Sequence, residues 1–168
     1  MKAYHAVDNN NTLYAAVSSM GYNYFISGGS NGILVPEFNA VKNGIGNGSI
    51  TALDMRTGKV KWQYPTPAPT YASPLVTNGL VFAAYWTDIG KPYQFNVFGN
   101  PVETVLHPSS IFFALDKDTG KKLWEFNVGG PLGVGGASAG DGMIFATTGS
   151  PSARLGFTSG SIIAFGIG

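Results

Sequence analysis

The sequence predicts an all-β protein assembled from tandem repeats, and three observations predict it. An 11-residue motif, identical at seven positions, occurs twice, the composition is turn-rich, and no segment carries a capped helical period. The chain has 168 residues, 24 of them glycine, about twice the usual ~7% share. Aromatic residues reach 13%, while charged residues stop at 11% against a usual ~25%. Short apolar strands separated by glycine turns account for such a balance better than amphipathic helices do.

Residues 49–62 read Ser-Ile-Thr-Ala-Leu-Asp-Met-Arg-Thr-Gly-Lys-Val-Lys-Trp, and residues 111–124 read Ile-Phe-Phe-Ala-Leu-Asp-Lys-Asp-Thr-Gly-Lys-Lys-Leu-Trp. Both contain Ala-Leu-Asp-x-x-Thr-Gly-Lys-x-x-Trp. The apolar run ending in Ala-Leu-Asp reads as a buried strand. The Asp can accept hydrogen bonds from turn amides, and the Gly supplies the left-handed position that a bulged hairpin needs. Gly58 and Gly120 are therefore expected at positive φ. The next strand brings Trp62 or Trp124 opposite a small Ala, an arrangement suited to packing between units.

The segments flanking the repeat also match. Residues 73–84, 136–147 and 8–17 each read as a short strand, a turn and an apolar strand. The chain thus divides into three units, at about 4–64, 71–126 and 134–166. Asp54 and Asp116 stand 62 positions apart (116 − 54), more than the ~40–50 of common propeller repeats. A loop insertion is expected at about 86–109, where Gly90, Pro92, Gly99, Pro101 and Pro108 fall. The third unit reaches Ile162-Ile163-Ala164-Phe165 without a Thr-Gly-Lys hairpin or Trp, so its outer strand is expected to be missing.

Several functional classes find no support. Net charge is +1 with no run of Lys or Arg, which leaves no electrostatic footprint for nucleic acid. The absence of Cys removes disulfides, thiolate metal sites and Cys nucleophiles. The first eight residues have no apolar core and do not read as a signal peptide. No apolar stretch approaches the ~18 residues of a membrane span. His5 and His107 lie over a hundred positions apart, with no second ligand at metal-like spacing. Asp54 and Asp116 are repeat equivalents that brace their turns rather than a catalytic carboxylate pair. The glycine-rich stretches 28–32 and 129–136 read as loops, with no following helix to bind an anion. The aromatic residues Tyr22, Tyr24 and Phe25, with Tyr85, Trp86, Tyr93, Phe95 and Phe98, suit the covering of one face of the fold.

The repeated Ala-Leu-Asp-x-x-Thr-Gly-Lys-x-x-Trp resembles the tryptophan-docking motif of pyrroloquinoline-quinone (PQQ) dependent alcohol dehydrogenases, and the likeness extends along the whole chain. It looks like the carboxy-terminal part of that family, including Trp62-Gln63-Tyr64-Pro65-Thr66-Pro67 and the Ile163-Ala164-Phe165 ending. The resemblance implies an all-β, partial β-propeller: three four-stranded blades of an eight-bladed quinoprotein-type propeller, the last lacking its outer strand. It implies alcohol or sugar oxidation by the complete protein, with PQQ and a Ca or lanthanide ion held by blades upstream. No catalytic or metal-ligating residue then falls in this chain. Two quinone-contacting positions map here, to Ser18 and Tyr71, where the family carries Asn and Trp. A non-catalytic scaffold that has lost the quinone is the competing expectation. The resemblance also implies an extracytoplasmic location, periplasmic or cell-surface. Because an open arc of blades exposes strand edges and apolar flanks, the remaining blades are expected from the same protein, another subunit or self-association.

Overall fold

The computed structural model describes residues 4–19, 23–26, 34–37, 47–87, 109–150 and 158–166. Among them there are strands and turns but no helix. Three antiparallel sheets follow one another along the chain, with a small separate ribbon. The first contains β1 (Tyr4–Val7), β2 (Thr12–Ser19), β5 (Asn47–Asp54) and β6 (Val60–Thr66), in the order β1-β2-β5-β6. The second places β7 (Leu75–Thr77), β8 (Leu80–Thr87), β9 (Ser109–Asp116) and β10 (Lys122–Asn127) in the same sequential order. The third has β11 (Leu132–Gly140), β12 (Met143–Ser150) and β13 (Thr158–Gly166). The ribbon pairs β3 (Asn23–Ile26) with β4 (Leu34–Glu37). Residues 88–108 of the expected insertion lie outside the described residues, as do His107, Tyr22, Tyr93, Phe95, Phe98 and residues 28–32.

Registers repeat from sheet to sheet. Thr12 faces Asp54, Leu80 faces Asp116, and Met143 faces Gly166. The motif Ala lies opposite the motif Trp, Ala52 with Trp62 and Ala114 with Trp124. A register shift next to each Trp marks the bulge that the hairpin requires.

The hairpins are held alike. Asp54 Oδ1 accepts from the amides of Arg56 and Thr57, both at 2.9 Å. Asp116 Oδ1 accepts from the amides of Asp118 and Thr119 at 3.2 and 2.8 Å, and from the Thr119 hydroxyl at 2.7 Å. Gly58 and Gly120 close the turns at φ of 70° and 71°, where a side chain would be strained.

Burial differs among the sheets for a packing reason. In the second sheet Val81–Ala84 and Phe112–Leu115 are continuously buried, because both of its faces are covered. Val81, Ala83, Phe113 and Leu115 meet Tyr14, Ala16, Ile50 and Ala52 of the first sheet. Phe82, Ala84, Phe112 and Ala114 meet Leu132 and Ala146, with Ile144, Ile163 and Phe165 packed alongside. In the first sheet β2 alternates instead: Tyr14 and Ala16 are buried, whereas Leu13, Ala15 and Val17 are half-buried.

The stretch 129–136 departs from the loop expected of it. Residues 132–136 form the start of β11, and the register shift between Leu132 and Ala137 is where its glycines are used. At Gly136, φ is +62°, and a Cβ would come within 2.6 Å of the Ser73 carbonyl oxygen. Glycine here allows the third sheet to close onto the segment leading into β7.

Candidate functional site

Ser18 and Tyr71 are 53 positions apart in the sequence, and the fold brings their backbones together at one end of the sheets. After Trp62 and Tyr64, the chain leaves β6 and crosses to the second sheet through residues 67–74. Thr70 is fully buried in that crossing, and its hydroxyl donates to the Val17 carbonyl at 2.9 Å. Ser18 Oγ donates to the Thr70 carbonyl at 2.5 Å. The close approach needs Gly48, where a Cβ would lie 2.6 Å from Val17 O and 2.9 Å from Thr66 Oγ1. The Ser18 hydroxyl hydrogen is therefore committed to the backbone that presents Tyr71.

Tyr71 packs on Trp86 at the end of β8, with ring centroids 4.3 Å apart and planes inclined at 37°. Trp86 reaches onward, its Nε1 donating to the Leu132 carbonyl at 3.1 Å. Its amide donates to Pro69 O at 3.0 Å. The Leu132 amide in turn donates to the buried Ser110 hydroxyl at 2.8 Å. One run of contacts, Ser18 to Thr70 and Tyr71, then Trp86, then Leu132, thus ties all three sheets together at this end. Beside it, Thr87 Oγ1 is buried with no partner among the described residues.

The bridging part of Trp86 was not visible as a motif. Its register equivalents are Ser18 and, in the third sheet, Gly149, so no repeated letter marks the position.

At the opposite end, the hairpins carry the described cations Arg56, Lys59, Lys61, Lys117, Lys121 and Lys122. Asp8, to which the sequence reading gave no role, organises the junction there. Its carboxylate accepts from the amides of Asn10 and Thr12, both at 2.9 Å, and from the Tyr14 hydroxyl at 3.0 Å. Lys117 of the second sheet lies 3.6 Å away. Burial works to raise the Asp8 carboxyl, but the Thr12, Tyr14 and Asn10 hydrogen bonds and the Lys117 charge prevail, holding it below the ordinary carboxylate range. Burial, the bond to Asp8 and its negative charge push the Tyr14 phenol well above its usual value.

Chemically, the Ser18–Tyr71 end offers aromatic rings and hydroxyls. PQQ carries carboxylates that call for cationic or amide donors, and the described residues at this end include no Lys or Arg. By themselves they do not complete a quinone site. Among the described residues no group of three His, Cys, Asp or Glu side chains could hold a metal ion, and no helix is long and apolar enough to cross a membrane.

Antiparallel sheets of four, four and three strands, joined in sequential order and each packed face to face on the next, are blades of a β-propeller. Residues 6–90, just over half of the chain, match the PQQ-repeat family model described as outer membrane protein assembly factor BamB. The chain belongs to this PQQ-repeat family. Its fold is similar to that of the quinohemoprotein alcohol dehydrogenase from Pseudomonas putida HK5, with a TM-score of 0.54 and 17% identity over 88% of this chain. This chain spans 21% of the length of that enzyme. Comparison with curated protein sequences gives no match.

Proposed function

We propose that this chain forms the carboxy-terminal portion, or a subunit, of a PQQ-dependent-dehydrogenase-like propeller whose complete form oxidises an alcohol or sugar. The observation that carries this reading is the seat of Trp62. Its Nε1 donates to Lys117 O at 2.9 Å, and its ring covers Gly120 of the next hairpin. That is the contact a tryptophan-docking repeat would make between blades. Blades at about 4–64, 71–126 and 134–166, with an insertion at about 86–109, are part of the proposal. The remaining blades come from the same protein, another subunit or another copy. They supply the chemistry, the Ca or lanthanide ligands and the donors that the Ser18–Tyr71 end lacks. PQQ would supply hydride acceptance, while Tyr71 would offer a ring at the edge of its site. The location is extracytoplasmic, periplasmic or cell-surface.

A second reading is favoured by specific observations. Ser18 gives its hydroxyl hydrogen to Thr70 O rather than to a ligand, and the family model is named for an outer membrane assembly factor rather than for an oxidoreductase. In that reading the propeller is a non-catalytic scaffold in an envelope assembly.

Titration of the purified chain, in whatever assembly it forms, with PQQ and Ca²⁺ separates the two. Saturable changes in quinone absorbance, lost on Tyr71→Ala, support the dehydrogenase reading. No binding by a stable assembly supports the scaffold.

A further inference from the structure

Tyr71 and Trp86 form the tightest ring pair among the described residues, with centroids 4.3 Å apart against 5.1 Å for Trp124 and Phe165. Both rings are half-buried, at the end of the fold where the chain crosses from β6 to β7. Among the described residues, neither belongs to the two apolar clusters that hold the sheets together. A pair so close outside the cores calls for a reason other than core packing.

The next crossing shows which contacts the indole is not needed for. Trp86 N donates to Pro69 O at 3.0 Å, and Gly149 N donates to Pro131 O at 2.9 Å. Trp86 and Gly149 each lie six positions after the residue that opens their strand, Leu80 and Met143. Pro69 and Pro131 each lie seven positions after a motif Trp (69 − 62 and 131 − 124). A glycine thus makes the same backbone tie between crossing and sheet with no side chain at all. What the indole adds is its packing on Tyr71 and the bond from its Nε1 to Leu132 O of the third sheet, at 3.1 Å. Held through its backbone at Pro69 and through its ring edge at Leu132, the indole cannot turn without giving up a hydrogen bond.

We infer that Trp86 is a positioning residue, one that fixes the attitude of the Tyr71 ring toward the planar ligand of this end. That ligand is the quinone of the dehydrogenase reading, on which the inference rests. A tyrosine ring turns about two side-chain torsions, and it stacks on a planar ligand in only one attitude. Trp86 removes that freedom before the ligand arrives, so less ordering is left to oppose binding. Trp86 acts through Tyr71, and its bond to Leu132 makes the third sheet part of the support.

Fluorine NMR of the chain labelled with 3-fluorotyrosine, in whatever assembly it forms, reads the ring without any ligand. The Tyr71 line is the one that disappears in Tyr71→Phe. In the wild type it should have the width of a side chain held by the fold. It should narrow to that of a freely turning ring in Trp86→Leu and recover its width in Trp86→Phe, which keeps a ring at the contact. PQQ affinity, followed by quinone absorbance in the presence of Ca²⁺, should fall roughly fivefold in Trp86→Leu and recover in Trp86→Phe. A narrow Tyr71 line in the wild type would overturn the inference without any variant. So would a line unchanged in Trp86→Leu, or PQQ binding that weakens in Tyr71→Ala but not in Trp86→Leu. A Tyr71 line that responds to Trp86 in a chain that takes up no PQQ would sink the quinone reading and leave the positioning of the ring standing. PQQ uptake with an unresponsive line would do the reverse.

Discussion

The indole of Trp62 lies directly over Gly120. A Cβ at that glycine would sit 2.6 Å from Cδ2 of the ring, and the indole Nε1 is 2.9 Å from the Lys117 carbonyl in the same hairpin. Gly58, the matching residue of the first hairpin, has the same φ but nothing within 4 Å of its Cβ direction. The two glycines therefore separate backbone strain from contact between units.

Gly58→Ala should cost about 1 kcal/mol, the strain of an L-residue in the left-handed region. Gly120→Ala should cost about 3 kcal/mol, since the added methyl must also displace the ring. Urea denaturation of both variants measures the difference. Equal losses would mean that Trp62 yields without cost and does not lock the hairpin.

Trp124 is the repeat equivalent of Trp62 in a different setting. It is 38% exposed, stacked with Phe126 at 6.2 Å and edge-on to Phe165 at 5.1 Å. Trp62→Phe strips the Lys117 carbonyl of its indole donor and should cost about 2 kcal/mol. Trp124→Phe should cost less than about 1 kcal/mol, because much of the ring already meets water. Thermal unfolding of the pair checks the order; the reverse order would refute the assignment of Trp62 as the bridge between sheets.

Asp8 makes the junction of the first two sheets sensitive to acid. Its folded pKa is depressed, so the stability it contributes is present above the unfolded value of about 4 and is lost as pH falls through the folded value. Asp54 and Asp116 are depressed as well, chiefly by the hydrogen bonds from Thr57 and Thr119. Asp8→Asn should therefore reduce, without abolishing, the fall in stability below about pH 4. Denaturant midpoints from acid to neutral pH measure the slope; an unchanged slope would remove Asp8 from the acid response.

At the other end, Thr70→Val should cost about 1 kcal/mol by leaving the Val17 carbonyl without its donor. Should quinone bind, Tyr71→Ala ought to weaken it roughly tenfold through loss of the ring, about 1.4 kcal/mol. Ser18→Ala should leave binding unchanged, because the hydroxyl is engaged with Thr70 O. Isothermal titration of the three variants distinguishes these effects, and a large loss at Ser18 would contradict the hydrogen bonding found there.

The all-β class, the hairpins with positive φ at Gly58 and Gly120, and the pairing of each motif Trp with its Ala were legible because they depend on local chemistry repeated in register. A turn that needs Asp, Thr and Gly writes those letters wherever it occurs. The strand at Leu132–Gly136 was not legible, since its glycines serve close approach to Ser73, a contact with no local signature. The bridging roles of Trp86 and Asp8 were missed for the same reason: each acts on another sheet, and neither recurs at its register position. The sequence by itself determined the blade unit and its order along the chain, because hairpin and alternation energetics are short-range. Only the tertiary structure decided which tryptophan is locked and which is exposed, and how Ser18 meets the Tyr71 segment. Those outcomes depend on what packs across tens of residues, where burial and desolvation rather than local propensity set the energy.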